Sequence, residues 1–340
     1  MLVLGIETSC DETAAAIVAD GEEIRASVVA SQEDLHGRFG GVVPEIASRA
    51  HLERFLPVLT TALNQAHLDL TAIDAIAVSN RPGLVGALLV GLSAAKVLAW
   101  ALNSSIVGVN HLEAHIIAAL MGKKVKFPLV ALVASGGHTS LFLSTSFTQH
   151  GLIGQTTDDA AGEAFDKVAG ILGLGYLGGP LVEKAARGGN PKTFDFPRSL
   201  LGEDSLDFSF SGVKTAVLYH ISGQDATQSA EKLSSRELAD VAASFQEAVV
   251  DVLVEKLLRA AQREKVRSVA LGGGVAANRT LRERVSEAAR AEGFSFYVPP
   301  LNLSTDNAVM VAALGYHRLK EGLADDLTLD AYPRASDPGA

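Results

Sequence analysis

Leu2-Val3-Leu4-Gly5-Ile6-Glu7-Thr8-Ser9-Cys10-Asp11-Glu12-Thr13-Ala14-Ala15-Ala16-Ile17-Val18 opens the chain with an apolar run, a short polar stretch and a second apolar run. Apolar runs this short, bounded by small polar residues, predict two strands joined by a turn. The same plan returns at Pro128 to Val133, followed by the turn Ala134-Ser135-Gly136-Gly137-His138 and the returning run Thr139 to Leu143. A repeat at about 127 residues is too long for a solenoid and fits two duplicated lobes facing one another. Each turn carries hydroxyls and backbone N–H groups, the ingredients of a phosphate cradle, although an ordinary hairpin accounts for either turn taken alone.

Around these hairpins the pattern alternates between helices and strands. Helical periodicity runs from about Pro44 to Ala66, a strand is expected at Ala75 to Ser79, and an apolar helix occupies Gly83 to Leu102. That last stretch raises the question of a membrane span. Lys96, Ser93 and three glycines interrupt it and Pro82 suits a helix start, so the expectation is a buried core helix in a soluble protein. Further on, Gly173 to Gly179 and Gly188 to Pro191 predict loops, and residues 199 to 237 short helices with loops. Leu238 to Ala261 predicts a long amphipathic helix. Val269 to Leu271 predicts a strand feeding Gly272-Gly273-Gly274, with a helix from about Asn278 and a loose tail over the last ten residues.

Composition sets outer limits. A chain of 340 residues, 48% apolar and 20% charged, can bury a substantial core. Its net charge of −10 excludes a generally basic coat for nucleic acid, and the densest basic cluster, Lys123, Lys124 and Lys126, suits a solvated loop. Cys10 is the only cysteine, so no internal disulfide can form, as suits a reducing cytoplasm. Glu7 and Asp11 arrive early with no basic segment before them, so no signal peptide is expected.

The densest chemistry lies at His111-Leu112-Glu113-Ala114-His115. Histidines four residues apart on a helix share one face and can grip a single transition-metal ion, and Asn110 before them suits an N-cap. A zinc protease of this type needs Glu directly after the first His. Here the acid stands two places on, about 200° around the helix, so Glu113 points away from any metal. Asp306, in Ser304-Thr305-Asp306-Asn307, precedes a helix of small apolar residues, where its carboxylate either caps the helix or supplies a hard third ligand. Strand, triple glycine and helix at Gly272 to Gly274 suit either a close approach to a nucleotide or a tight turn. Asp159, Glu163 and Asp166 would share a helix face, to be used by ribose hydroxyls or an amine or else left to solvent. Phe208 to Gly212 is expected in the core.

Taken together, Gly5 to Thr13, Gly40 to Glu45, Pro82 to Gly86, His111 to His115, Ser135 to Thr139, Gly162 to Lys167 and Ser304 to Asn307 resemble, in order and over nearly the whole chain, the TsaD family of tRNA adenosine threonylcarbamoyltransferases, in its bacterial form, once called O-sialoglycoprotein endopeptidases. The resemblance implies an α/β chain of the actin/Hsp70-like ATPase fold, two duplicated lobes around a nucleotide cleft. The lobes are expected at residues 1–108, completed by 305–330, and at 109–304 with the metal and nucleotide site, leaving 331–340 as tail. It implies His111, His115 and Asp306 as ligands of one divalent ion, Fe2+ or Zn2+. Val133, Ala134, Ser135, Gly136 and Gly137 become the substrate loop, and Asp166, Gly179, Glu183 and Asn278 contacts of threonylcarbamoyl-AMP or ATP. Asn80-Arg81 before Pro82, Leu177, and Glu183 where Asp is frequent depart from the family pattern.

The activity implied is transfer of threonylcarbamoyl from its adenylate to N6 of adenosine 37 in ANN-decoding tRNAs. Asp11 or Glu12 is the candidate acceptor of the amine proton. Implied partners are tRNA, a TsaB-like paralogue, a TsaE-like ATPase and a separate threonylcarbamoyl-AMP synthase, in the cytoplasm and without a membrane. Two rival classes are a metalloprotease, disfavoured by the place of Glu113, and a non-catalytic ATP-dependent binding protein of the same fold, which has no need of the histidine pair.

Overall fold

Strands form where apolar runs can be buried on both faces, and both hairpins of the sequence do so. The structure, a computed structural model, describes residues 1–334 apart from 200–201, 203 and 224–232. It divides into two compact units, Met1–Lys124 with Pro299–Ala340, and Val125–Val298. The first runs through β1 (Leu2–Glu7), β2 (Glu12–Ala19), β3 (Glu23–Ser31), α1 (Glu33–His36), α2 (Pro44–Ala66), β4 (Ala75–Arg81), α3 (Val85–Leu102), β5 (Ser105–Asn110) and α4 (His111–Leu120). The second runs through β6 (Leu129–Ala134), β7 (Thr139–Ser144), β8 (His150–Gln155), α5 (Ala161–Ile171), α6 (Gly178–Ala185), α7 (Ser211–Ser222), α8 (Ser235–Arg263), β9 (Ser268–Gly272), α9 (Arg279–Ala291) and β10 (Ser295–Tyr297). The chain then returns to the first unit with α10 (Ala308–Lys320).

The two sheets have one topology. Their orders are β3-β2-β1-β4-β5 and, listed from the other end, β8-β7-β6-β9-β10. In each, the first three strands pair antiparallel and the last two join the first in parallel. Parallel neighbours need long crossovers, which α2 and the chain from α5 to α8 supply. The weak repeat in the sequence is thus a repeat of a whole five-stranded unit.

Small residues set how closely the layers approach. A Cβ on Gly5 would collide with the Ala308 carbonyl, and one on Gly315 with Ala77, so α10 lies directly on β1 and β4. Leu4 and Ile6, pointing to the opposite face, join a core with Val58, Leu59, Ile76 and Leu92. This close seating brings the residues just before α10 to the carboxyl ends of β1 and β5.

Two expectations need correction. Although α3 is long and apolar enough to cross a membrane, only 33% of it is buried here. Ala87, Leu88, Leu92 and Ala95 face the core while Leu89, Val97 and Trp100 are exposed, so it packs one face on the core rather than being a core helix. The boundary expected at residue 108 also moves, because α4, with both histidines, belongs to the first unit. Of the expected tail, residues 335–340 lie outside the described residues, as do 200–201, 203 and 224–232 of the mixed stretch.

Candidate metal centre and phosphate-binding turn

In the first unit three neighbouring parallel strands, β1, β4 and β5, end together, the usual place for a ligand in such sheets. Glu7 is the last residue of β1, Ser79 lies near the end of β4, and β5 runs straight into α4. Asn110 caps that helix, its Oδ1 accepting from the N–H of Leu112 at 2.9 Å. The cap starts the helix at His111 and puts His115 one turn further along the same face. Their rings meet edge to face with centroids 4.7 Å apart.

Asp306 completes the group. The helix that follows it is capped by Asn307, whose Oδ1 accepts from the Met310 N–H at 3.1 Å. Capping is therefore done by the next residue, and the Asp306 carboxylate is free to face the imidazoles. Its Oδ1 lies 3.1 Å from His115 Nε2 and 3.5 Å from His111 Nε2. One ligand atom from each of the three lies within 4.8 Å of the others.

The hydrogen bonds decide which nitrogen faces inward. His111 Nδ1 is 2.9 Å from Glu7 Oε2 and 3.2 Å from Ser9 Oγ. A carboxylate only accepts, so Nδ1 carries a proton and Nε2 is the nitrogen turned towards the Asp306 oxygen. Two lone pairs aimed at each other repel unless a proton or a cation stands between them. His115 Nδ1, buried, has no hydrogen-bond partner among the described residues. Two imidazole nitrogens and a carboxylate oxygen, one imidazole steadied by a further carboxylate, fit a divalent transition-metal ion.

The charge balance agrees. Burial opposes charge on His111, yet the Asp306 and Glu7 carboxylates push its pKa well above the ordinary imidazole value. At His115 burial prevails, aided by the neighbouring His111 charge, and the pKa falls. Burial also opposes the Asp306 charge, but His111 and His115 hold that carboxyl well below the usual range. Burial, then the charges of Asp306 and Asp11, drive Glu12 well above it. The cluster holds more carboxylate than its histidines can balance.

The other expected residues of this region fall into place around it. Asp11 closes the β1–β2 turn and Glu12 opens β2, close enough to Asp306 to feel its charge. The turn's hydroxyls are not free for phosphate, since Thr8 Oγ1 donates to the Ala87 carbonyl at 2.9 Å and Ser9 Oγ meets His111. Burial, with the nearby Asp11 and Asp306 charges, raises the Cys10 thiol far above its ordinary value, so it is no nucleophile. Glu113 is raised to about 7 by burial, against the pull of Arg318 and Arg81. Its charged neighbours are those arginines and not the triad.

In the second unit the β6–β7 turn is bare. Val133 and Ala134 end β6; the Ser135 N–H donates to the His138 carbonyl at 2.8 Å, and the His138 N–H to Ser135 Oγ at 3.2 Å. Gly136 and Gly137 have open space where a Cβ would stand. Backbone closes in from two other sides. A Cβ on Gly162, in the first turn of α5, would strike the Ser135 carbonyl and Gly136, and one on Gly273 the Ala134 carbonyl. Gly273 also has φ +85°, which favours glycine. The triple-glycine turn, the SGGH turn and the start of α5 thus meet backbone to backbone, a cradle of the kind that anionic oxygens occupy.

Asp166, Gly179, Glu183 and Asn278 rim this region with their side chains partly committed. Asp166 Oδ1 accepts from the Gly178 N–H at 2.8 Å, Glu183 Oε1 from the Arg279 N–H at 3.2 Å, and Gly179 is open. Asn278 caps α9 through the Leu281 N–H at 3.0 Å and donates to Gln246 Oε1 at 2.8 Å. The acidic face expected along Asp159, Glu163 and Asp166 is not open. Helix α5 starts only at Ala161, Asp159 pairs with Lys167 and Lys214 at 2.8 and 2.7 Å, and Glu163 pairs with Lys167. Phe208 and Phe210 are buried and stacked, as expected of core residues.

Sequence reasoning missed Glu7, Ser79 and Gln246. Glu7 carried a signal, an acid ending an otherwise apolar strand. Ser79 Oγ donates to Glu7 Oε2 at 2.5 Å, a bond that only the pairing of β1 with β4 creates, and the Ser9 N–H donates locally to Oε1 at 2.6 Å.

Comparison with known proteins places these features in a family. The family described as TsaD, tRNA N6-adenosine threonylcarbamoyltransferase, matches residues 23–313. A protein of that description from Symbiobacterium thermophilum is 54% identical over 333 residues, covering 98% of this chain and 96% of its own length. Among solved structures, HypF of T. kodakarensis aligns with TM-score 0.62 at 16% identity, over 94% of this chain and 48% of HypF. Component A of the Acidaminococcus fermentans (R)-2-hydroxyglutaryl-CoA dehydratase aligns with TM-score 0.54 at 15% identity, over 94% of this chain and 99% of its own. These likenesses, with the duplicated sheets, give the actin/Hsp70-like ATPase fold.

Proposed function

The chain belongs to the TsaD family of tRNA N6-adenosine threonylcarbamoyltransferases, enzymes that modify tRNA, and from that premise we propose that it takes threonylcarbamoyl from threonylcarbamoyl-AMP and places it on N6 of adenosine 37 in ANN-decoding tRNAs. The observation that carries this reading is the convergence of His111, His115 and Asp306 in front of Glu7.

These three residues would hold Fe2+ or Zn2+, since two imidazoles and a carboxylate suit either. A divalent ion bound there supplies Lewis-acid polarisation of a phosphate or carbamoyl oxygen. Glu7 holds the proton on His111 Nδ1, which would leave Nε2 to ligate the ion. Backbone N–H groups of Gly136 and Gly137 would receive the charge that develops on the leaving phosphate, with the Ser135 N–H closing the turn onto the His138 carbonyl and Val133 and Ala134 setting the turn's height. Asp166, Gly179, Glu183 and Asn278 would orient the adenosine part of the donor. Attack by the adenosine amine would release AMP and one proton, for which Asp11 or Glu12 is the candidate acceptor.

An anionic chain acting on anionic tRNA needs help at the encounter. We expect a TsaB-like paralogue and a TsaE-like ATPase to provide it, with a separate synthase supplying the adenylate, all in the cytoplasm. The test is mass spectrometry of nucleosides from unmodified tRNA incubated with adenylate, this chain and those partners. Threonylcarbamoyladenosine should form, and only weakly without the partners. No modified nucleoside under any combination, or peptide cleavage instead, would sink the reading.

A further inference from the structure

Thr13, Gln32, His36 and His51 are all fully buried, and together they form one polar chain behind the end of the β1–β2 turn and the start of β2. The chain has a single polarity, fixed at both ends by backbone. At one end the Val43 N–H lies 3.3 Å from His36 Nδ1, so that nitrogen accepts and Nε2 donates, to Gln32 Oε1 at 3.0 Å. The Gln32 amide nitrogen then donates to the Ala47 carbonyl at 3.3 Å and towards His51 Nδ1 at 3.3 Å. At the other end His51 Nε2 lies 3.0 Å from the Cys10 carbonyl, which only accepts. His51 Nδ1 is therefore an acceptor, taking the Thr13 hydroxyl at 2.8 Å. The Gln32 N–H also donates to the Asp11 carbonyl at 3.0 Å. The two ends fix both tautomers, and Gln32 lies against the His51 ring, its amide nitrogen 3.3 Å from Nδ1 and 3.5 Å from Nε2, while the Nδ1 lone pair goes to Thr13.

Four buried polar side chains are a costly way to fill a space that apolar residues fill more cheaply. The cost falls beside Asp11 and Glu12. The far end reaches Val43, which closes the segment Gly37–Val43, where Arg38 and Phe39 are exposed and Gly40 adopts φ +69°.

We propose that His51 is a positioning residue for the transfer reaction: it fixes the Asp11–Glu12 turn through Thr13 and the Cys10 carbonyl, and ties it through Gln32 and His36 to the surface segment Gly37–Val43. This rests on the reading that the turn serves proton transfer. The relay acts as a unit, so a break at either end loosens the same turn. Whatever binds Gly37–Val43 would reach the turn by this route.

The experiment compares Thr13→Val, Thr13→Ser, His36→Leu and the Thr13→Val/His36→Leu double variant in the complete transfer system, with bound metal and melting temperature recorded. Thr13→Val and His36→Leu should each lower kcat about tenfold while KM for the adenylate and the metal content stay unchanged. Thr13→Ser should recover kcat to within about twofold, and the double variant should lose no more than the worse single. Backbone amides of residues 10–13 should exchange faster in His36→Leu, a readout that needs no activity. Losses that multiply in the double variant, a His36→Leu enzyme with full kcat, or unchanged amide exchange would overturn the relay. If Thr13→Val does not fold, Thr13→Ala takes its place. Should Asp11→Asn and Glu12→Gln retain full transfer while amide exchange still responds to His36→Leu, the base assignment fails and the relay stands.

Discussion

The β1–β2 turn and the β6–β7 turn occupy the same place in two copies of one sheet, yet their chemistry is opposite. The first is packed with charged and imidazole side chains, Glu7, Asp11 and Glu12 beside His111, His115 and Asp306. The second is stripped to Ser135, Gly136 and Gly137, with Gly162 and Gly273 pressed against it. Topology assigns both turns to the carboxyl ends of their parallel strands. What each can bind depends on whether side chains or bare backbone line it: side-chain ligands can hold a cation, and naked N–H groups an anion. Duplication supplied two identical locations, and local sequence gave them complementary charge.

Removing one of the three proposed metal ligands should break the contrast most severely. His115→Ala or Asp306→Asn should abolish bound metal and cut transfer by about 100-fold or more, measured by elemental analysis and nucleoside mass spectrometry. Chelation of the wild-type enzyme should do the same, and the loss should reverse when metal is restored. Full activity after complete metal removal would mean that the first turn is not a cation site.

A smaller effect should follow at Glu7. Glu7→Gln keeps the shape but weakens the hold on His111 Nδ1, so metal affinity should fall about 10- to 100-fold by competition titration. Gly273→Ala tests the second turn. A methyl group there meets the Ala134 carbonyl and φ +85° strains any other residue, so the variant should lose about 1–3 kcal/mol of stability and about tenfold in adenylate affinity. Its metal content should not change. A common loss of metal in both variants would deny that the turns are separately built.

The mildest test concerns Asp159, which ties α5 to α7 beside the second turn through Lys167 and Lys214. Burial opposes its charge, but hydrogen bonds from the two lysines and their charges hold its pKa below the ordinary carboxylate value. A lowered native pKa means that the unfolded chain binds the proton more readily. The contribution is therefore complete above the unfolded value of about 3.9 and lost as pH falls through the native one. Asp159→Asn should cost about 1 kcal/mol at neutral pH, with the difference from wild type vanishing in acid. A constant difference across pH would show that shape, not charge, matters there.

Much of this was legible beforehand because it depends on neighbours in sequence. The predicted helix over Pro44–Ala66 coincides with α2, and the Asn110 cap and the one-turn spacing of His111 and His115 appear as expected. The duplicated hairpins were legible too, since strand burial leaves its mark in apolar runs. Other features were not. The acids at the start of α5 looked unpaired partly because Lys214, a partner of Asp159, lies 55 residues away in sequence, and α3 looked like a core helix because its apolar residues do not tell one face from the other.

By itself, then, the sequence determined which segments are strands and helices, that one unit is repeated, and, through its resemblance, which residues to suspect. Only the tertiary structure decided that Asn307 rather than Asp306 caps α10, that Glu7 backs His111, and that the His36–Gln32–His51 relay lies behind the acidic turn. Caps, strands and helix faces follow from interactions a few residues apart. The orientation of a buried carboxylate depends on partners brought together from separate strands, at distances that only the folded sheet defines.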